Sequence, residues 1–246
     1  MATEPVATVP DVFVYSRGDR PPPRTHTVNT TSRSRIAWQK GLSPFFLTVD
    51  DVPLRPGGEV VDGVLFENLW QGLKVYAEDA DKDGNPTDAY WAFRERVFRC
   101  KTALRFPKGR GAKPLYALPL HGKGRLGYVE SRIKTYAPLY EAAVTSTPAF
   151  KQLQDVVKEK GSVWLFDFDG NACLQQGKSL EWMMYNTKRK MGHGFVLAGI
   201  LRGERPWKSG EYDAAKEHAS SIPRTKPKTT PRIVTMLTKK RAREGS

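Results

Sequence analysis

The segment Glu67-Asn68-Leu69-Trp70-Gln71-Gly72-Leu73-Lys74 constrains this chain more than any other. It sets a carboxylate, a carboxamide and an ammonium at i, i+4 and i+7 within an otherwise apolar stretch. On a helix those positions share one face, because residues three, four and seven apart stack over one another. Trp70 at i+3 lies beside them. Polar groups on a half-buried face are costly unless they are paired. Two arrangements satisfy that requirement: a Glu67–Lys74 network tying the helix to its neighbours, or the wall of a polar pocket.

Charge narrows the partners. Forty Lys+Arg stand against 26 Asp+Glu, a formal net charge of +14 over 246 residues, which suits a polyanion. Residues 221–246 hold Arg224, Lys226, Lys228, Arg232, Lys239, Lys240, Arg241 and Arg243 against Glu244 alone. Residues 94–113 hold Arg94, Arg96, Arg99, Lys101, Arg105, Lys108, Arg110 and Lys113 against Glu95. Each is either a solvated surface or a binding surface, for nucleic acid in both cases or for a phosphorylated small molecule in the second. In the tail, Lys226, Lys228, Lys239, Lys240 and Arg241 are the candidate nucleic-acid contacts.

Eleven Phe, nine Tyr and six Trp suffice for a core, and the length suits one substantial domain between tails. No apolar run is long enough to span a bilayer, and Met1-Ala-Thr-Glu-Pro lacks a secretory pattern. Cys100 and Cys173 make neither a metal spacing nor a disulfide framework. The expectation is a cytoplasmic protein with no membrane partner.

Along the chain, residues 1–34 are rich in Pro, Thr, Ser and Arg without a period, which predicts a disordered N-terminal arm. Ser43 to Val49 reads as a strand entering the core, followed by the Glu67 helix. Asp88 is expected to cap a helix carrying Trp91, Phe93, Val97 and Phe98. Residues 104–116 form a glycine-punctuated basic loop. Helical periodicity spans Tyr128 to about Val144, where Pro138 should kink or divide the helix. Thr147-Pro148 starts a helix ending near Gly161. Ser162–Phe168 reads as a buried strand, Ser179 caps a short helix, and a last helix covers about Lys190 to Leu201. From Gly203 the chain turns polar and basic. The expected fold is α+β and mainly helical: one domain over 35–205, with a basic C-terminal tail over 206–246.

Two motifs do not carry their usual chemistry. Asp79-Ala-Asp81-Lys-Asp83-Gly84 matches the first half of a calcium loop, but Tyr90 stands where a bidentate Glu is required. It reads as an acidic turn. Val163 to Gly170 resembles an Asp-x-Asp-Gly phosphatase motif, but 76 residues after Gly170 are too few for the remaining sheet, and they hold no paired carboxylates. Asp167 and Asp169 are left either as cap and ion-pair partners or as site acids at a strand end.

In order, Ser43-Pro44-Phe45, Glu67-x-x-Trp70-Gln71-x-x-Lys74, Tyr128-x-x-x-Arg132-x-x-x-Tyr136, Val163 to Asp169 and Gly192-His193-Gly194-Phe195 through Arg202 resemble the NADAR superfamily of YbiA-like N-glycosidases. The resemblance covers about residues 43–202. The chain is also similar to a subgroup found in bacteriophages and bacteria, which shares the Arg105-Phe106-Pro107 to Tyr116 and Asp167 to Gly170 stretches. The family's Asp-x-x-Trp-Gly-x-Gly segment has no counterpart; Asp167-Phe168-Asp169-Gly170 stands near its place.

The resemblance implies a single YbiA/NADAR-like domain and hydrolysis of an N-glycosidic bond, in a phosphorylated N-riboside or an ADP-ribosylated nucleobase or nucleic acid. It implies no metal and no redox cofactor. Glu67 is then the catalytic carboxylate, with Asp167 or Asp169 as second acid. Gln71 and Lys74 position the carboxylate or the ribose, and Trp70 stacks on the base. Arg105, Lys108, Arg110 and Lys113 would hold a phosphate, and Arg132 belongs to the family pattern. His193 is either a proton donor or a structural histidine. The alternative function is a non-catalytic nucleic-acid-binding protein on the same fold. The location implied is the cytoplasm, or the host's where a phage supplies the gene.

Overall fold

The computed structural model describes residues 9–221. In chain order these form β1 (Asp11–Tyr15), β2 (Thr27–Asn29), α1 (Ala37–Lys40), β3 (Thr48–Val49), β4 (Val52–Pro53), β5 (Val60–Val61), β6 (Val64–Leu65), α2 (Phe66–Gly72), β7 (Lys74–Val75), α3 (Asp88–Arg99) and β8 (Tyr116–Ala117). Then follow α4 (Tyr128–Ser131), a π-helical turn (Arg132–Tyr136), α5 (Ala137–Thr145), α6 (Pro148–Lys160), β9 (Ser162–Phe166), α7 (Leu180–Tyr185), α8 (His193–Arg202) and α9 (Ala214–Ser221). The architecture is mixed α and β, with more helix than strand.

The central sheet has the order β1-β9-β2, all parallel. Side chains alternate across a strand, so Val12, Val14, Val28, Val163 and Leu165 fall on one face and are fully buried. Each contributes about 1.5–3 kcal/mol by leaving water. The strand expected over Ser162–Phe168 therefore ends at Phe166 and is buried on one face only. α6 and α8 supply the same core through Leu153, Val157, Phe195 and Val196. A second cluster of Leu69, Leu73, Tyr90, Phe93, Val97 and Phe98 joins α2 to α3.

Two expected boundaries are corrected. Within the arm expected over 1–34, the described residues are not a disordered segment: β1 and β2 flank β9 in the sheet. Val12-x-Val14 makes a two-residue period, but its outward partners are Phe13 and Tyr15, so no apolar–polar alternation shows in the sequence. The tail does not begin at 206 either. Trp207 is buried, donates Nε1–H to Glu141 at 2.7 Å and sits against Gly199 of α8, and α9 follows. The candidate contacts Lys226, Lys228, Lys239, Lys240 and Arg241 lie outside the described residues.

Local signals decide several helix ends. Thr147 Oγ1 accepts from the Phe150 amide at 3.1 Å and starts α6 with Pro148 at its first position. Ser179 Oγ accepts from Trp182 N at 3.0 Å and starts α7. α3 begins one residue earlier than expected for an Asp88 cap: Thr87 is the N-cap, and its hydroxyl donates to Asp79 O. Pro138 does divide its helix, since it has no amide to donate, and the π-helical turn lies just before it. The strand expected over Ser43–Val49 is a turn up to Phe46. Phe46 N donates to Ser43 O at 2.9 Å, and only Thr48–Val49 pair with β6.

Candidate active site

The C-terminal end of β9, the start of α8, α2 and the π-helical turn converge on a cavity of about 290 Å³. Beside it lies an opening of about 620 Å³. Trp70, Gln71, Lys74, Arg105, Phe106, Tyr128 and Lys190 line both, so the two make one cleft. Its size suits a small molecule or one nucleotide.

α2 buries Phe66, Asn68 and Leu69 and turns Glu67, Trp70 and Gln71 toward this cavity. Glu67 stands in the first turn, where the helix dipole favours an anion. Gln71 Nε2 donates to Glu67 Oε1 at 2.8 Å, and Lys74 Nζ donates to Gln71 Oε1 at 2.9 Å. The helix ends at Gly72, so Lys74 reaches the relay from β7; the turn of helix at Leu73 keeps it on the same side. Its ammonium also lies 4.8 Å from the Trp70 ring centroid. Burial raises the Glu67 pKa, opposed by the Gln71 hydrogen bond and by the charges of Lys74, Arg105 and His193. Burial lowers Lys74 to about 8 against the pull of Glu67. Among the described residues Gln71 is the one hydrogen-bond partner of the Glu67 carboxylate, which leaves Oε2 for a ligand.

Asp167 is an architectural acid in this geometry. It is 3% exposed, and its carboxylate accepts from Asp169 N at 3.0 Å and Gly194 N at 2.8 Å. His193 Nδ1 lies 3.2 Å from Oδ2 and Nε2 lies 2.9 Å from Thr30 O. A carboxylate from a strand end thus caps α8, whose own N-cap residue is Gly192. The glycine is required: a Cβ there would stand 2.1 Å from Asp167 Oδ2. His193 touches the cavity wall, but both ring nitrogens are engaged in this bracket, which is the structural alternative.

Asp169 is half-exposed on the cavity wall and pairs with Lys190 at 3.3 Å, so it is the more available of the two acids. Arg132 is buried and its guanidinium is consumed internally. It donates to Met184 O, Asn186 O, Arg189 O and the Tyr128 hydroxyl, and lies 4.0 Å from the Tyr128 ring centroid. It clamps the segment that delivers Lys190 to His193, with four of its five N–H donors engaged there. Trp70 is partly exposed and braced edge-on by Tyr136, centroids 4.9 Å apart.

Tyr136 was not singled out as a site residue from sequence. Burial, then the charges of Asp167 and Glu67, push its hydroxyl well above the usual phenol range, so it stays a proton-bearing donor. The hydroxyl has no hydrogen-bond partner among the described residues, and the residue lines the cavity.

The basic loop divides. Asn68, buried on α2, donates to Cys100 O and Thr102 O and accepts from Leu104 N, which fixes Arg105 at the cleft. Arg110 lines the outer opening. Lys108 is drawn away, correcting its expected role: it pairs with buried Asp79 at 2.6 Å and lies over Phe93. Lys113 is exposed and lines neither cavity.

Among the described residues no group of three His, Cys, Asp or Glu side chains could hold a metal ion, and no helix is long and apolar enough to cross a membrane. A family model described as a family of unknown function (DUF6939) matches residues 19–179, which include Glu67, Gln71, Lys74, Arg105 and both strand-end acids. No curated protein and no solved structure matches the chain.

Proposed function

The chain belongs to DUF6939, and for it we propose an N-glycosidase-type hydrolase, acting on the bond between a ribose and a base in a phosphorylated N-riboside or an ADP-ribosylated nucleobase. The observation that carries the reading is Glu67: a carboxylate with a raised pKa, held on one oxygen by Gln71 and open to the cavity on the other. The motif order shared with the NADAR superfamily supports the same reading, and the fold assignment to that superfamily is part of the proposal.

In the proposed reaction, water adds to the anomeric carbon as the C–N bond breaks. The electron pair of that bond leaves with the base. Glu67 accepts the proton from water and stabilises the oxocarbenium character that develops on the ribose. The Lys74–Gln71 relay holds that carboxylate in place. Tyr136 donates a hydrogen bond to the departing nitrogen, which takes its proton from solvent, and Trp70 stacks on the base plane. Arg105 meets a phosphate at the cleft. Asp169, with Lys190, replaces Asp167 as the second acid, because Asp167 Oδ2 already caps α8 and Oδ1 accepts from Asp169 N.

The test offers the purified chain NAD, ADP-ribose, ribosylamino-pyrimidine phosphates and DNA carrying ADP-ribosylated guanine, with released sugar and base read by mass spectrometry. Release of both in equal amounts from one member supports the reading. Release from none of them, by protein that melts cooperatively, contradicts it.

A further inference from the structure

The sheet face opposite the valines is aromatic. Phe13 and Tyr15 of β1 stand in register with Trp164 and Phe166 of β9. The rings touch in sequence: Phe13–Trp164 at 5.1 Å, Trp164–Tyr15 at 6.2 Å, Tyr15–Phe166 at 5.3 Å and Phe166–Phe168 at 5.5 Å between centroids. All five residues are partly exposed. The strip ends at Phe168, which lines the proposed active-site cavity.

Around Phe168 three guanidinium groups gather. Arg17, Arg33 and Arg105 each place their central carbon 5.5 Å from its ring centroid, so the three lie within about 11 Å of one another. That span is about one Debye length at 0.1 M salt, too short for solvent ions to isolate the charges. Each side chain is exposed and none forms an ion pair among the described residues, although the charge of Arg105 is felt by Glu67. Neither acid beside Phe168 pairs with these arginines: Asp167 accepts from Gly194 N, and Asp169 lies 3.3 Å from Lys190. Contact with the ring attracts each arginine, while their mutual repulsion opposes the cluster. A polyanion relieves that repulsion.

We propose that this face binds single-stranded nucleic acid, with bases stacking along the Phe13–Trp164–Tyr15–Phe166 strip and phosphates held by Arg17, Arg33 and Arg105. Flat rings on a sheet accept unpaired bases of any identity, and adjacent arginines neutralise the backbone that joins them. A duplex keeps its base faces stacked internally and cannot use the strip. The strand's path leads a nucleotide from the sheet to the mouth of the cleft. The binding stands independently of the bond-cleavage reading, since its test uses unmodified oligonucleotides and reads no turnover.

The experiment titrates the full-length chain into a fluorescently labelled 20-nucleotide single strand and into the matching duplex, following anisotropy from 50 to 300 mM salt. The wild type is expected to bind the single strand at least tenfold more tightly than the duplex at 300 mM. The double variant Arg17→Glu/Arg33→Glu is expected to lose at least tenfold of single-strand affinity. Its log Kd against log salt should flatten by about 1.4, from about 0.7 for each phosphate released from a single strand. Contributions from the basic tail are common to both proteins and cancel in the comparison. A second measurement needs no variant: 5-iodouracil oligonucleotides photocrosslinked to the wild type should mark peptides spanning 11–17 and 162–168. Equal affinity for duplex and single strand, an unchanged variant, or crosslinks confined to residues 222–246 would each overturn the proposal.

Discussion

Truncating Asp167 separates an architectural acid from a chemical one. Asp167→Ala removes the acceptor for Gly194 N at 2.8 Å and Asp169 N at 3.0 Å, and the carboxylate 3.2 Å from His193 Nδ1. Each buried donor left without a partner costs about 1–3 kcal/mol. Loss of a helix cap accounts for about 1 kcal/mol within that sum. The expected destabilisation is about 3–5 kcal/mol, within the sum for the two amides left without an acceptor. In a domain of this size that lowers Tm by about 10 °C. Asp167→Asn keeps one carbonyl acceptor and should lose about half as much. Urea unfolding followed by circular dichroism at pH 7 measures both. If Asp167→Ala unfolds within about 1 kcal/mol of wild type while turnover disappears, the cap assignment is wrong and Asp167 belongs to the chemistry.

Tyr136→Phe removes a hydroxyl with no internal partner among the described residues, so stability should change by under about 0.5 kcal/mol. Turnover should fall about 10²-fold, the size of one donor lost opposite developing charge; unchanged kcat refutes the role. Lys74 releases its proton at about 8 in the fold and at 10.5 when unfolded, so the unfolded chain binds the extra proton between those values. Its contribution to stability therefore rises with pH across that window and is smallest below it. Relative to Lys74→Met, the wild type should gain stability from pH 7 to pH 10, and a constant difference would contradict the buried relay. Arg132→Met frees four acceptors around residues 128 and 184–189. Hydrogen exchange should quicken there first, and uniform quickening across the domain would show that the clamp is not local.

What the sequence made legible was what local geometry enforces. Thr147 and Ser179 cap their helices because a hydroxyl reaches an amide three residues on, and the Glu67–Gln71–Lys74 spacing meets on one face because helical turns repeat. Both alternatives for that helix hold together, since the relay is also the wall of a cavity. The rest depends on partners distant in the chain. β1 was hidden because the outward residues that should have been polar are rings packed on β9. Gly192 and Gly194 gain meaning only from a carboxylate 27 residues away in sequence for Gly194, entering the start of α8. Lys108 sits in a phosphate-like loop, yet a buried Asp79 claims it. Tyr136 read as a spaced aromatic, because nothing in its neighbours along the chain reveals that its hydroxyl lies among three acids.

The most direct test of the account is single-turnover hydrolysis by Glu67→Gln, run beside wild type on the N-riboside that wild type cleaves, with thermal melts of both. The amide oxygen of the new side chain still accepts from Gln71, so the fold and Tm should survive while the cleavage rate falls by at least 10³-fold. A variant that cleaves at the wild-type rate would contradict the claim that this carboxylate performs the chemistry, and a variant that unfolds would show that the polar face of α2 is there to hold the protein together.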